Sequence, residues 1–391
     1  MKNEQNKRAL PQYLLDKISH NLEIAHFFGF TPIDTPELVS KSPKHTDFYN
    51  SKLSFLSFFI ESNLAKKEAQ PILLAYELPL KKSSKRKNAK HVEMALEVVG
   101  TLQSVSEAIA IKTAMSILED EGYKDIYVDI NSVGDKESFS RLERELTSYY
   151  RKNISGLSAN HRQLFKKDIW NIYKTDEAKI EEFRNSAPKA MNCLSDISRR
   201  HFKEVLEFLE VLEIPYRLNP FLVGEKGICV HTIFEIKQAG KTPKNDTVLV
   251  SGTRYNHIAK DLGWRKDLPA LSVEMNFPRK KKNSFVTISR LKKPNFYFIQ
   301  LGFEARLRAL NIIDLLRKNK IRIGHNLNRD KITAQMAGAE RAGASYMIIM
   351  GQMEALEKSV FVRDIETRAQ TNVGLDKIVD YLKKLKIPLS K

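Results

Sequence analysis

The sequence is poor in cysteine, has no long hydrophobic run and contains fewer acidic than basic residues. Its two cysteines, Cys193 and Cys229, lie far apart without the spacing of a zinc site, which predicts buried free thiols in a reducing compartment. No apolar run approaches the length of a membrane span, and the first residues lack the apolar core of a signal peptide. We therefore expect a cytoplasmic protein with no membrane segment and no metal site.

The deficit of acidic residues leaves a strongly basic chain. Lys and Arg number 65 against 47 Asp and Glu, so the formal net charge is +18. Such a field favours polyanionic partners, of which nucleic acid is the commonest, although a basic proteome or simple solubility gives the same charge. The basic residues cluster at 81–90, at 279–282 and at 290–293, with no aromatic residue among them. This pattern is typical of phosphate-contacting or solvated loops rather than of base-stacking surfaces.

Hydrophobic periodicity divides the chain near Lys293 and Pro294. The 391 residues, 42% of them hydrophobic, suffice for two or three domains with proper cores. Beyond the boundary, strand and helix patterns alternate with short loops, which predicts a small α/β domain with a mainly parallel sheet. Before it, the patterns predict helices over Leu10–Phe28, Gln103–Glu121 and Asp196–Leu212, strands over His91–Val99 and Tyr123–Ile130, and a turn over Asn131–Asp135.

The stretch Asn219–Ile236, NPFLVGEKGICVHTIFEI, stands out near the middle of the chain. Its second half reads as a buried strand, and a second strand from Thr247 runs into the sequence GTRYN at Gly252–Asn256. A strand pair that ends in glycine, arginine and tyrosine suits the floor of a small-ligand site. An ordinary core hairpin explains the same residues, and the pattern alone leaves both interpretations open.

Several stretches, in collinear order, resemble histidyl-tRNA synthetase, a class II aminoacyl-tRNA synthetase. They are GFTPIDTPEL (29–38), EVVGTLQSVSEAIAI (97–111), DINSVGDKES (129–138), the segment 187–223, GTRYN (252–256), and most of the region from 295 onward. The resemblance implies an α+β class II synthetase-like domain over 1–293, with an antiparallel sheet core and a helical insertion at 136–195. It also implies a C-terminal anticodon-binding-like α/β domain over 295–391, a homodimer and a tRNA partner.

The motifs that carry the family's chemistry depart from this resemblance. Where motif 2 has an arginine in an FRxE strand end, this chain has Leu78-Pro79-Leu80-Lys81. The register of the family's RGLDYY stretch contains Gly224–Cys229, without the arginine or the tyrosines, and Glu225 brings a negative charge. The glycine-rich motif 3 becomes Ser272–Arg279, and the RPEGT stretch has no match. Adenylate formation needs fixed cations where charge develops on the α-phosphate, so these departures remove the groups that the reaction requires.

The resemblance still assigns candidate site residues. Arg254 and Arg279 are the remaining catalytic candidates, although Arg279 is equally explained as one more member of the basic run. The substrate- or nucleotide-binding candidates are Glu97, Tyr255, Lys81 and Arg86. The RNA-binding candidates are Asn328, Arg329, Lys331 and Gln335 at a helix start that Asn328 is predicted to cap, together with Lys280 and Lys281. A capped, solvated helix N-terminus explains the first four as well.

Three functions follow from this pattern. The favoured one is a histidyl-tRNA synthetase-like protein that binds tRNA or tRNA-like RNA and is impaired in or devoid of aminoacylation. The second is a working, divergent histidine–tRNA ligase, which would use ATP and Mg²⁺. The third is a regulatory subunit resembling that of ATP phosphoribosyltransferase, against which the C-terminal domain counts.

Overall fold

Two large sheets and one two-stranded sheet organise the described part of the chain. A computed structural model describes residues 15–37, 46–62, 64, 71–78, 90–167, 169–170, 180–287 and 293–385. The strands are β1 (Lys17–Ser19), β2 (Thr31–Pro32), β3 (Ile72–Glu77), β4 (His91–Val99), β5 (Ile126–Gly134), β6 (Tyr216–Leu218), β7 (Val230–Gln238), β8 (Thr247–Tyr255), β9 (Ala270–Pro278), β10 (Phe285–Thr287), β11 (Phe296–Gln300), β12 (Ile323–His325), β13 (Tyr346–Met350), β14 (Ser359–Asp364) and β15 (Gln370–Gly374). The helices are α1 (His20–Phe27), α2 (Asp47–Glu61), α3 (Val105–Asp120), α4 (Lys136–Lys152), α5 (Ala159–Lys167), α6 (Glu181–Ser186), α7 (Asp196–Val211), α8 (Phe303–Lys318), α9 (Ile332–Ala342), α10 (Gln352–Glu357) and α11 (Ile378–Lys384).

The larger sheet forms the N-terminal domain. Its strands lie in the order β2-β3-β4-β9-β8-β7-β5-β6. Every pairing from β3 to β5 is antiparallel, and only the edge strands β2 and β6 pair in parallel. Because successive side chains of a strand point to opposite faces, the register places alternate residues of four neighbouring strands on one surface.

One face of this sheet packs on helices. Helix α3 is buried along its whole length up to Leu118, as expected of a helix that is apolar on nearly all sides. Leu96, Val98, Val273 and Met275 of the central strands belong to the same hydrophobic cluster. Helix α3 and this cluster cover one face of the sheet. The opposite face is left available to form a site.

Helix α2 lies on the opposite face, over β3 and β4. Phe55 stacks on Tyr76 with ring centroids 6.0 Å apart, and Phe59 is buried with it. Leu56 and Leu74 belong to the same apolar cluster. Phe55 and Phe59 therefore belong to the packing face of this helix.

The charged stretch 136–195 has a small core of its own. Leu142, Leu146 and Tyr150 of α4 face inward, and Trp170 is buried with its ring stacked 4.8 Å from that of Phe139. The sequence predicts Trp170 as a packing anchor, and the structure confirms this. The second predicted anchor, Tyr173, lies outside the described residues.

The smaller sheet forms the C-terminal domain, in the order β12-β11-β13-β14-β15. Strand β11 pairs in parallel with β12 and β13, whereas β14 and β15 continue the sheet antiparallel. The prediction of a mainly parallel sheet is therefore wrong, since the sheet is mixed. The connections explain this, because a parallel crossover needs a dozen or more residues, and far fewer separate β13 from β14 or β14 from β15.

A buried ion pair joins the two domains. Lys112 of α3 places its Nζ 2.9 Å from Oδ2 of Asp314 on α8, and both side chains are nearly inaccessible. Ser106 donates to the Asn328 Oδ1 over 2.9 Å, and Asn311 donates to the Val211 carbonyl over 2.9 Å. The boundary near residues 293–294, between β10 and β11, remains a prediction.

Three local predictions were wrong. Residues 10–14 of the predicted helix Leu10–Phe28 lie outside the described residues. Helix α1 begins at His20, since Ser19 accepts from the Leu22 N–H at 3.3 Å and β1 precedes it. The predicted turn at 131–135 is strand up to Gly134, because β7 continues to pair with β5 there. Helix α9 begins after Lys331, since the Asn328 side chain contacts the other domain instead of capping. None of the described helices combines the length and apolarity needed to cross a membrane.

Candidate functional site

A cavity of about 280 Å³ lies on the open face of the large sheet. Strand alternation builds it, because cross-strand pairing aligns Glu97 with Ser272, Ser272 with Thr253, and Ser251 with Glu274. The residues that line it are Lys52, Leu222, Gly224, Glu225, Cys229, Ile233, Phe234, Glu235, Ser251, Gly252, Thr253, Ser272 and Glu274. The stretch that stood out in the sequence therefore supplies one wall of a real cavity.

Glu97 lies beneath this cavity, in contact with the lining residue Ser272, and is fully buried. Its carboxylate accepts hydrogen bonds from Ser272 Oγ at 2.7 Å, Tyr255 Oη at 2.9 Å and Tyr76 Oη at 3.3 Å. Burial raises the pKa of Glu97 to about 7, although the nearby Lys52 ammonium and the hydroxyl donors act in the opposite direction. A carboxylate held mainly by neutral hydroxyl groups is poised to change its protonation near neutral pH.

Lys52 of helix α2 reaches into the cavity from above. Its side chain is 2% exposed. Its Nζ lies 2.6 Å from Ser272 Oγ and 2.5 Å from Oε1 of Glu274. Burial on its own would raise the pKa of Glu274, but the Lys52 ammonium outweighs it and holds that pKa below the usual range.

Two further carboxylates stand at the wall of the cavity. Glu225 accepts a hydrogen bond from Thr46 Oγ1 at 2.9 Å, and Glu235 pairs with Lys237 Nζ at 2.9 Å. Among the described lining residues the carboxylates number three and the cations one, which is Lys52. This balance opposes a polyphosphate that brings no cation of its own, because binding of a polyphosphate requires fixed positive charge.

The sequence GTRYN is split between the two faces of the sheet. Tyr255 is buried and donates to Glu97, so these two predicted substrate-binding residues lie together. Arg254 points to the other face and is 0% exposed. Its Nε and Nη2 donate to Glu107 at 2.9 and 2.7 Å, and its Nη1 donates to the Thr101 carbonyl at 2.7 Å.

Arg254 therefore ties strand β8 to helix α3. Glu107 also contacts His201 Nε2 at 2.8 Å. Burial would raise the pKa of Glu107, but the Arg254 guanidinium and His201 hold it far below its usual range. The guanidinium is engaged on the helical side of the sheet, away from the cavity, so the structure does not bring this catalytic candidate to Glu97 and Tyr255.

The glycine of GTRYN also has a packing role. A Cβ on Gly252 would lie 2.1 Å from Cζ of Phe234, its cross-strand neighbour. The absence of a side chain at this position gives the phenyl ring its space in the core. The glycine is explained without any ligand.

Arg279, Lys280 and Lys281 follow strand β9 at the end away from Ser272, roughly 20 Å along the strand at the usual rise per residue. Glu121 organises all three, accepting the backbone N–H of Lys280 and of Lys281 at 3.1 and 3.0 Å and the Arg279 guanidinium at 3.5 Å. The Lys280 ammonium lies 3.5 Å from the Tyr123 ring centre. Arg279, a catalytic candidate, therefore lies beside the RNA-binding candidates Lys280 and Lys281. Lys81 and Arg86 lie outside the described residues.

The four candidates of the C-terminal domain differ in accessibility. Gln335 is buried and pairs with both backbone groups of Gln300, at 3.0 and 2.8 Å. Asn328 is buried against Ser106. Arg329 is half-buried and Lys331 is exposed at the start of α9. Two of the four therefore hold the fold, and Arg329 and Lys331 are available for a phosphate.

Lys52, Tyr76 and Glu274 belong to the site although they were not among the predicted site residues. Tyr76 and Glu274 lie at alternate positions of recognisable strands, so strand parity offered a signal for them. Lys52 lies within an aromatic-rich helix, and nothing in its local sequence indicates that it is buried. Both cysteines are buried free thiols as predicted, and Cys229 lines the cavity. In the described part of the chain no group of three His, Cys, Asp or Glu side chains is arranged to hold a metal ion.

Known proteins resemble the chain along most of its length. Residues 296–385 match the family model described as an anticodon binding domain. The histidine–tRNA ligase of Lysinibacillus sphaericus is 25% identical over 330 residues, which are 83% of this chain and 78% of that protein. That of Halothermothrix orenii is 28% identical over 298 residues, covering 75% and 70% of the two chains. The chain is a histidyl-tRNA synthetase-like protein.

The solved structures support the fold of this synthetase-like protein. The apo histidyl-tRNA synthetase of S. aureus superposes with a TM-score of 0.50 at 21% identity and covers 93% of both chains. The predicted class II synthetase-like architecture, with an antiparallel core and a C-terminal anticodon-binding domain, is confirmed. The identities to these two ligases are 25% and 28%.

Proposed function

We propose that this histidyl-tRNA synthetase-like protein binds tRNA or a tRNA-like RNA and is impaired in or devoid of aminoacylation. The charge of the cavity is the observation that supports the proposed loss of aminoacylation. Its described lining has three carboxylates and one ammonium group, and that ammonium group is bound to Glu274. An enzyme that forms an adenylate stabilises developing negative charge with fixed cations, whereas this lining repels it.

The RNA-binding part is supported by the anticodon binding domain at 296–385 and by the net charge of +18. Arg329 and Lys331 are the predicted contacts of that domain that remain accessible, and Lys280 and Lys281 are further predicted contacts on the N-terminal domain. We further propose a cytoplasmic homodimer. In this view the protein serves in regulation or as an accessory subunit.

A filter-binding titration with total tRNA at two salt concentrations tests the RNA-binding part. We expect the affinity to fall steeply with salt, because phosphate contacts release counterions. Replacing Arg329 and Lys331 together by glutamine should weaken binding and reduce the salt slope by about one for each phosphate that is no longer neutralised.

The matched control replaces Lys203, an exposed lysine of α7 in the other domain, by glutamine. This variant should bind within about twofold of the wild type. No binding at low salt, or binding that ignores salt, contradicts the proposed RNA partner.

A working, divergent ligase is the second candidate. The specific observation in its favour is the intact polar base of the cavity, where Tyr76, Tyr255 and Ser272 orient the Glu97 carboxylate. A fold kept only for RNA binding does not require this arrangement. Histidine-dependent exchange of pyrophosphate into ATP distinguishes the two candidates.

A further inference from the structure

A lysine ammonium group is bound inside the cavity. Lysine is almost never fully buried unless it is paired, and Lys52 is 2% exposed. Its Nζ donates to Ser272 and to Glu274, which lie on the same face of strand β9. The cavity therefore already holds one ligand group, supplied by the chain itself.

Helix α2 is anchored so that this lysine stays in place. At its N-terminus Thr46 contacts Glu225 at 2.9 Å. Tyr49 donates to Asp261 at 2.5 Å, and Ser51 donates to Glu274 at 3.1 Å. These contacts reach three separate segments around the cavity and hold the first two turns of α2 over it.

The charged groups that line the cavity favour a cation over an anion. Glu274 binds the ammonium directly, and the same Ser272 hydroxyl that receives Lys52 donates to Glu97. Glu225 and Glu235 add negative charge at the wall. Such a set of carboxylates and hydroxyls suits the three donors of a primary ammonium group.

We propose that the cavity is a primary-ammonium site and that Lys52 occupies it as an internal ligand. A free amine, including the amino group of an amino acid, can bind to Ser272 and Glu274 only by displacing the Lys52 ammonium group from them. Occupation of the site by Lys52 gives a structural reason for the proposed loss of aminoacylation. Its biological meaning rests on that proposed function. Its chemistry can be tested without RNA or ATP.

The test uses the full-length Lys52→Ala variant and propylammonium chloride, which replaces the removed atoms from Cγ to Nζ. Calorimetric titration and thermal unfolding should show saturable binding of propylammonium, with an apparent affinity at least about tenfold tighter than in the wild type. Propanol, a neutral molecule of the same shape, should not bind. Inorganic pyrophosphate should not bind either, because the lining is negative.

Two variants show whether the effect belongs to this site. Lys52→Ala combined with Glu274→Gln should lose the propylammonium binding, since the carboxylate that receives the ammonium is gone. Lys112→Ala removes another buried, ion-paired lysine and should gain no binding, because Asp314 keeps Arg317 and Lys318 as partners. Equal binding of propylammonium by Lys112→Ala overturns the proposal, as does equal binding of propanol by Lys52→Ala.

The experiment remains decisive if Lys52→Ala does not fold alone. Refolding is then carried out with propylammonium or propanol, and only the ammonium should restore the folded protein. Absence of binding by the folded variant, or no restoration of an unfolded one, overturns the ammonium site. A loss of tRNA binding or a gain of pyrophosphate exchange bears only on the proposed function, so the two failures are distinguishable.

Discussion

Glu97 and Arg254 show how one sheet separates two kinds of buried charge. Arg254 and Glu107 compensate each other through two hydrogen bonds on the helical face. Glu97, on the cavity face, has three hydroxyl donors instead of a direct cation. The first arrangement stabilises the fold, whereas the second keeps a titratable group at the base of a cavity.

The raised pKa of Glu97 predicts a pH-dependent cost to stability. Its pKa rises from 4.5 to about 7 on folding, so folding favours the protonated form. The stabilisation is complete below pH 4.5 and is lost as the pH rises to about 7. At about 1.4 kcal/mol per pKa unit, the loss is on the order of 3 kcal/mol. Glu97→Gln cannot ionise, so urea unfolding should show its stability rising relative to the wild type by that amount between pH 4.5 and 8.

The control for this measurement is Glu274→Gln, whose stability should run parallel to that of the wild type above pH 4.5 and should change relative to it only in acid. The pKa of Glu274 lies below its usual range, so its ionised form stabilises the fold above pH 4.5 and this contribution is lost in acid. Wild-type and Glu97→Gln curves that run parallel across this pH range contradict the assignment of Glu97 as the titrating group.

Among the elements, strand and helix patterns could be predicted where local sequence decides them. Strand β4 has the predicted bounds, and α7 ends one residue before the predicted end. The predictions were wrong where contacts with residues distant in sequence determine the local structure. Asn328 looked like a helix cap, but its acceptor is taken by Ser106, more than two hundred residues away. The predicted turn after Ile130 remains strand because β7 continues to pair with it.

The candidate site was predictable in part, for the same reason. The resemblance pointed to Glu97 and Tyr255, and strand parity alone would have placed Tyr255 and Arg254 on opposite faces. The partner of Arg254 lies on α3, and the occupant of the cavity lies on α2. Neither interaction has a signal in the local sequence, since both depend on how helices dock on the completed sheet.

The close packing of Gly252 against Phe234 in the strand pair β7–β8 predicts the effect of a substitution on stability. Gly252→Ala should destabilise the protein by roughly 1–3 kcal/mol, because the added methyl group meets the Phe234 ring. Combining it with Phe234→Leu should recover part of the loss in urea unfolding. Gly156→Ala, with open space around the new methyl group, serves as the neutral control. An unchanged stability of Gly252→Ala would show that this glycine is not needed for packing.

The whole molecule depends on the junction between its domains. Asp314 receives Lys112 at 2.9 Å from the N-terminal domain and Arg317 and Lys318 at 2.9 and 3.1 Å from its own helix. Asp314→Asn leaves Lys112 buried without its counter-charge, and breaking a buried pair in this way costs about 3–5 kcal/mol.

Calorimetry should therefore show that Asp314→Asn lowers the melting temperature and separates the unfolding of the two domains. Asp196→Asn removes an exposed carboxylate that lies 3.7 Å from Arg199 and should leave the melting curve nearly unchanged. A single, unshifted transition in Asp314→Asn is the result that contradicts a coupling role for this ion pair.

At this scale the chain has a class II synthetase-like architecture, and the described lining of its cavity carries three carboxylates and one ammonium group. The most direct test is histidine-dependent exchange of radiolabelled pyrophosphate into ATP, with Mg²⁺ present and an active histidine–tRNA ligase as the positive control. We predict no exchange above the histidine-free blank while the same preparation still binds tRNA. Exchange that saturates with histidine would contradict it and identify the protein as a working ligase.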